Sequence, residues 1–216
     1  MNQLAYGVLT LALIAAGLWL WRQRAPLTTP ARGAMTAALL SLGLPAAASL
    51  LLSLGELASA LAQTQRMLGL AAQNLSLPLL GLAALYLGRG LQWQPAVWGR
   101  ILLGLMAGFE LLRRMDQLFG YQWVMNSAAV VTMLVGCLLV FRQDRRALPA
   151  VLLCAIGTLA PMFTPGTAPL ADLFVPGSTL LWLFPALLGA ALTVGLLSEQ
   201  AHNRAQPDSA DHLPRS

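Results

Sequence analysis

LAYGVLTLALIAAGLWLW, residues 4–21, passes through eighteen positions without one charged side chain. A run of that length fits the hydrocarbon core of a bilayer as a helix, because about 20 residues at 1.5 Å each cover ~30 Å. Six predominantly apolar stretches follow it. The periodicity predicts seven helices, roughly over 3–21, 34–54, 66–88, 96–118, 121–141, 147–163 and 177–198. Only 10% of the 216 residues are charged and 57% are hydrophobic. Soluble domains carry about 25% charged residues, so this chain lacks the polar surface a water-exposed globule needs. The expected fold class is therefore all-α: a polytopic integral membrane helical bundle of seven transmembrane helices. Residues 1–198 form the membrane domain, and the polar stretch 199–216, EQAHNRAQPDSADHLPRS, is expected as a disordered cytoplasmic tail.

The orientation follows from the arginines. All thirteen basic residues are arginine. With the N-terminus outside, Arg22, Arg24, Arg32, Arg89, Arg100, Arg142, Arg145, Arg146, Arg204 and Arg215 lie inside, and only Arg66, Arg113 and Arg114 lie outside. That imbalance gives N-out, C-in. The first segment has no base before it and two after it, the reverse of a cleavable signal peptide, so it is expected to stay as a helix. Net charge is +5, but the arginines stand singly or in pairs between apolar runs, which suits topology anchors and excludes nucleic acid as a partner. The bias towards Arg, Ala, Leu and Gly points to a GC-rich bacterial source and a bacterial inner membrane.

Polar residues inside such segments are costly and so carry the functional reading. In the fourth segment Glu110, Arg113, Arg114 and Gln117 fall at i, i+3, i+4 and i+7, one helical face. That face is expected to turn inward, with Gly104 and Gly108 marking a close helix–helix contact. In the third segment Gln63, Arg66, Gln73 and Asn74 share a face, and Asn126 enters the fifth at similar depth. Asp172, in the proline-rich stretch PMFTPGTAPLADLFVPGS, could fold over them as an outer loop or re-entrant plug. All of these polar residues but Gln117, nine in all, would line a polar pocket in the outer half of the bundle, where guanidinium groups suit an anionic solute or a lipid head group. The bland alternative has the arginines reaching to head groups and the amides bridging helices.

Missing residues narrow the chemistry. His202 and His212 both lie in the tail, which excludes haem held by intramembrane histidines and histidine-based metal sites. Without lysine no retinal Schiff base can form. No nucleophile-elbow, zinc-protease or nucleotide-binding motif occurs, and no cofactor or metal is expected. Cys137 and Cys154 read as small apolar residues, able to meet near the inner ends of the fifth and sixth helices. Three function classes remain: a small transporter or solute binder, an accessory subunit of a larger membrane complex, and an intramembrane lipid-modifying enzyme. The partners implied are the bilayer, an anionic small molecule or head group, and other membrane subunits.

Overall fold

The computed structural model describes residues 2–54, 61–159 and 180–205. Within them the chain is all-α: α1 (Asn2–Arg24), α2 (Thr29–Leu54), α3 (Ala62–Arg89), α4 (Pro95–Arg114), α5 (Leu118–Gln143), α6 (Leu148–Leu159) and α7 (Leu180–Ala205), with a 3-10 turn at Arg145–Ala147. Each expected segment has its helix. Four of them, α1, α2, α3 and α5, are long and apolar enough to cross a membrane. The 12 described residues of α6 are fewer than a full span needs, and residues 160–179, which follow, lie outside the described ones. α4 has 20 residues, but Arg100, Glu110, Arg113 and Arg114 interrupt it.

Two boundaries differ from expectation. α4 stops at Arg114, with Asp116 in the left-handed region at φ 58°. The Gln117 amide donates back to the Leu112 carbonyl at 3.0 Å, closing a Schellman turn that satisfies the last carbonyls. Gln117 is therefore the residue before α5 and does not extend the Glu110 face. At the other end of the chain α7 continues to Ala205, so residues 199–205 are helical and not tail. Side-chain contacts hold those turns: Ser198 Oγ donates to Gln23 Oε1, and Gln23 Nε2 donates to Glu199 Oε1, each at 2.7 Å. Residues 206–216 and the proline-rich stretch 161–178 lie outside the described residues.

Successive helices pack in a ring. α1 lies between α2 and α7, α2 meets α3, α3 meets α5, and α6 closes the circuit between α5 and α7. α7 also touches α3, which places these two helices at the centre, while α4 lies outside against α2, α3 and α5. Small residues bring the backbones together. On α2 the inward face carries Ala34, Ala38, Ser41, Pro45, Ala48 and Ser49. An added Cβ on Gly136 would sit 2.7 Å from the Ala84 Cβ. The closest crossing is α6 on α7, where Gly157 faces the backbone of Ala186 and Gly189 faces that of Cys154.

The outward faces are apolar too. Leu4, Val8, Leu11, Leu18 and Trp21 form an exposed stripe along α1, and Val124, Val131 and Leu138 form a separate one on α5. Helices apolar on both sides bury no more than part of themselves in the bundle, and water is not the solvent that suits the remainder.

Candidate functional site

Parallel register fixes which polar side chains share a level. Gly81 lies against Ala129 and Thr132, Ala84 against Gly136 and Gly88 against Leu139, so α3 and α5 run the same way. Carried back about one to two turns, that register sets Gln73 and Ser76 level with Asn126 and Ser127. Gln73, Ser76 and Asn126 are buried, with Asn74 beside them, and Ser127 is half-buried with its Oγ enclosed. Gln73 is 7% exposed, Asn74 6%, Ser76 2% and Asn126 1%.

These groups are unevenly satisfied. Asn74 Nδ2 donates to the Leu70 carbonyl at 2.7 Å, a bond within its own helix. Gln73 Nε2, Ser76 Oγ and Ser127 Oγ are buried without a hydrogen-bond partner among the described residues. Pro78, inside α3, removes the amide that would bond the Asn74 carbonyl, adding an acceptor at the same level. Tyr6 Oη on α1 is a further buried group without a partner among the described residues. Leaving a buried amide or hydroxyl unbonded costs on the order of 1–3 kcal/mol, so several at one level are a concentrated polar demand.

The charged residues lie elsewhere. Glu110 Oε1 accepts from Arg114 Nε at 2.9 Å, an in-helix pair whose side chains are 42% and 75% exposed. The fourth helix thus turns Trp98, Leu102, Leu105 and Gly108 towards the bundle and leaves the Glu110–Arg114 pair at its flank. The expectation that this face points inward is corrected. So is the one for Gly104, which is exposed, while a Cβ added at Gly108 would lie 3.7 Å from the Tyr121 ring. Packing decides this: the aromatic and leucine stripe buries more area than the glycine face offers. Gln63 and Arg66 are exposed near the start of α3. The Arg113 side chain and all of Asp172 lie outside the described residues. Of the nine expected pocket residues the structure brings Gln73, Asn74 and Asn126 to one buried level, and pairs Glu110 with Arg114. Ser76, Ser127 and Tyr6 join the buried level; their short or amphipathic side chains gave no signal against an apolar background.

An exposed i,i+4 pair contributes little. Arg114→Ala should lower thermal stability in detergent by about 0.5 kcal/mol or less. A loss of several degrees in the unfolding midpoint would show that the pair is buried in the folded protein.

At the opposite end, arginines occupy the last turns of α1, α3, α5 and α7. The α1–α2 corner, the start of the α3–α4 connection and the end of α7 line one cavity of 480 Å³ holding Leu27, Tyr86, Gly90, His202 and Arg204. Arg204 Nη1 reaches the Gly88 carbonyl at 3.5 Å. Gly90, at φ +64°, ends α3 there with a Leu91 amide to Tyr86 carbonyl bond of 3.1 Å. Cys137 and Cys154 are neighbours, as expected, and Cys137 Sγ stands 3.6 Å from Thr193 Oγ1. Both are free cysteines. Among the described residues no group of three or more His, Cys, Asp or Glu side chains could hold a metal ion. Compared with family models, with curated proteins and with solved structures, the chain matches none.

Proposed function

We propose that the chain is a seven-segment protein of a bacterial inner membrane, N-out and C-in, that binds or passes a small uncharged hydrogen-bonding solute at the amide level of α3 and α5. The apolar outer faces of α1 and α5 and the arginines in the last turns of α1, α3, α5 and α7 support the membrane reading and its orientation. The observation that carries the solute reading is the buried Gln73 Nε2, which has no partner among the described residues, at the level of Ser76 and Ser127. An amide and hydroxyls in an apolar wall give donors and acceptors without net charge, which suits a polar neutral molecule better than an anion. The Glu110–Arg114 pair then serves as a head-group anchor, its charges matched in the helix.

The test is thiol accessibility. In a Cys137→Ala/Cys154→Ala background, Ser127→Cys should react with a small membrane-impermeant thiol reagent added from outside, with the exposed position Gln63→Cys as the positive control. Reaction from the outside alone marks a blind binding pocket, and reaction from both sides marks passage. If Gln63→Cys reacts and Ser127→Cys is inert from either side, the amides are interhelical glue and the solute reading falls.

A second reading, an accessory subunit of a membrane complex, draws on α4. Its outward face exposes Leu103, Met106 and Leu111 around Gly104, where an added Cβ meets no described atom within 4 Å. A dip of that kind receives a partner helix.

A further inference from the structure

A second cavity, of 490 Å³, lies between α2 and α4 at the arginine-rich end, and it changes character along its length. At one end stand Arg24, Thr29 and Arg32; deeper in, the walls become Leu40 of α2, Leu79 of α3 and Leu102 of α4. Arg32, Thr36 and Leu40 mark successive turns of α2, and Trp98 and Leu102 successive turns of α4, so the polarity gradient runs parallel to the helix axes. The lining contains two guanidinium groups and no carboxylate.

The donors at the charged end are held in place and incompletely used. Arg32 Nε donates to the Leu27 carbonyl and Nη2 to that of Ala25, both at 2.9 Å, which spends two of its five N–H groups and fixes the guanidinium over the α1–α2 corner. Arg24 stacks on Trp21, its Cζ 5.1 Å from the ring centroid, yet its Nε is buried without an acceptor among the described residues. Trp98 is 6% exposed and its indole Nε1 likewise has no acceptor among them. The Trp98 ring is fixed by Tyr86 and Trp93, with centroids 5.5 and 5.6 Å away. Preset cationic donors, a buried indole N–H and an apolar slot beyond them match three parts of one molecule.

We infer that this groove binds one anionic phospholipid of the inner leaflet, its phosphate on Arg24 and Arg32, an ester carbonyl within reach of the Trp98 N–H, and an acyl chain against Leu40, Leu79 and Leu102. The site rests on the membrane reading above and is independent of the amide level at the other end of the bundle. Two fixed guanidiniums favour a net negative head group over a zwitterionic one, whose own ammonium offsets the phosphate. The slot has room for the chain because an added Cβ at Gly99 meets no described atom within 4 Å.

Native mass spectrometry of the full delipidated chain in mild detergent, titrated with phosphatidylglycerol or phosphatidylcholine, tests it. The parent should retain one phosphatidylglycerol, about tenfold tighter than phosphatidylcholine. Arg24→Gln should erase that preference, while Arg142→Gln, on α5 and outside the lining, should keep it. Gly99→Leu fills the slot without touching the arginines and should weaken phosphatidylglycerol by a similar factor, which guards against misfolding of the arginine variant. Equal binding of the two lipids by the parent, or equal losses in Arg24→Gln and Arg142→Gln, would overturn the site. Full competition by equimolar inorganic phosphate, or unchanged binding in Gly99→Leu, would remove the acyl chain from it and overturn it equally.

Discussion

Gly157→Leu and Gly189→Leu should each prevent the protein from accumulating as a folded monodisperse species. At the α6–α7 crossing a Cβ on Gly157 would lie 2.6 Å from the Ala186 Cα and 2.8 Å from the Pro185 carbonyl carbon. A Cβ on Gly189 would meet the Cys154 Cα at 2.6 Å and the Leu153 carbonyl carbon at 2.8 Å. The obstacles are backbone atoms of helices, which cannot rotate aside as a side-chain tip can. Relief requires the two helices to separate, and that strips contacts from Cys154, Ala186 and Ala190, all buried. Overpacking usually costs about 1–3 kcal/mol; here the whole interface is displaced and the cost should exceed ~3 kcal/mol, a large part of ordinary folding stability. Size-exclusion profiles of detergent extracts read the outcome, with Gly104→Leu as control. Gly104 faces open space, so that change should be neutral or slightly favourable through helix propensity, by up to about 1 kcal/mol. A Gly157→Leu variant that keeps the parent profile and midpoint would mean α6 does not pack on α7 as described.

Helix positions were legible in the sequence because apolar runs of spanning length, broken by arginines and prolines, mark themselves. Which way each helix turns was much less legible. In α1 both Leu11, exposed, and Leu13, buried, are leucine, so periodicity cannot distinguish the inward side. The same ambiguity misled the reading of α4. Its charges suggested a face that had to be hidden, but a pair near a helix end can neutralise itself at Glu110–Arg114 and remain exposed. The buried amides were legible for the opposite reason. Gln73, Asn74 and Asn126 sit too far inside their helices to reach either end, so burial was the only economical outcome. Ser76 and Ser127 escaped notice because short hydroxyls often bond a carbonyl one turn back and vanish into an apolar helix, as Ser41 does with Ala37 at 2.7 Å, and Tyr6 because an aromatic near a helix end reads as an interfacial anchor. Only coordinates separate the hydroxyls that do so from those that do not. The arginine cavity was illegible for another reason: anchors and ligands use the same residue, and Arg24 and Trp98 are far apart in sequence.

Gln73→Met should make the purified protein more stable while weakening its function. Met keeps the unbranched length of Gln and removes an amide whose Nε2 has no partner among the described residues. An orphaned buried donor carries its desolvation cost into the folded state, so its removal should return about 1–2 kcal/mol. For a chain of 216 residues that corresponds to roughly 2–4 °C in the unfolding midpoint per kcal/mol. Ser76→Ala should act in the same direction and by less, since it removes a single hydroxyl. Most substitutions in a packed core destabilise, so a gain at two neighbouring buried positions would mark a level held polar at a cost to stability. The same Gln73→Met change should slow modification of Ser127→Cys by the impermeant thiol reagent, because an apolar wall no longer draws water to that level. The two readouts separate the competing accounts. Interhelical glue would make Gln73→Met less stable, through the partner left unbonded, and would leave thiol reactivity low from the start. A solute site requires the gain in stability and the loss of access together, in the same variant.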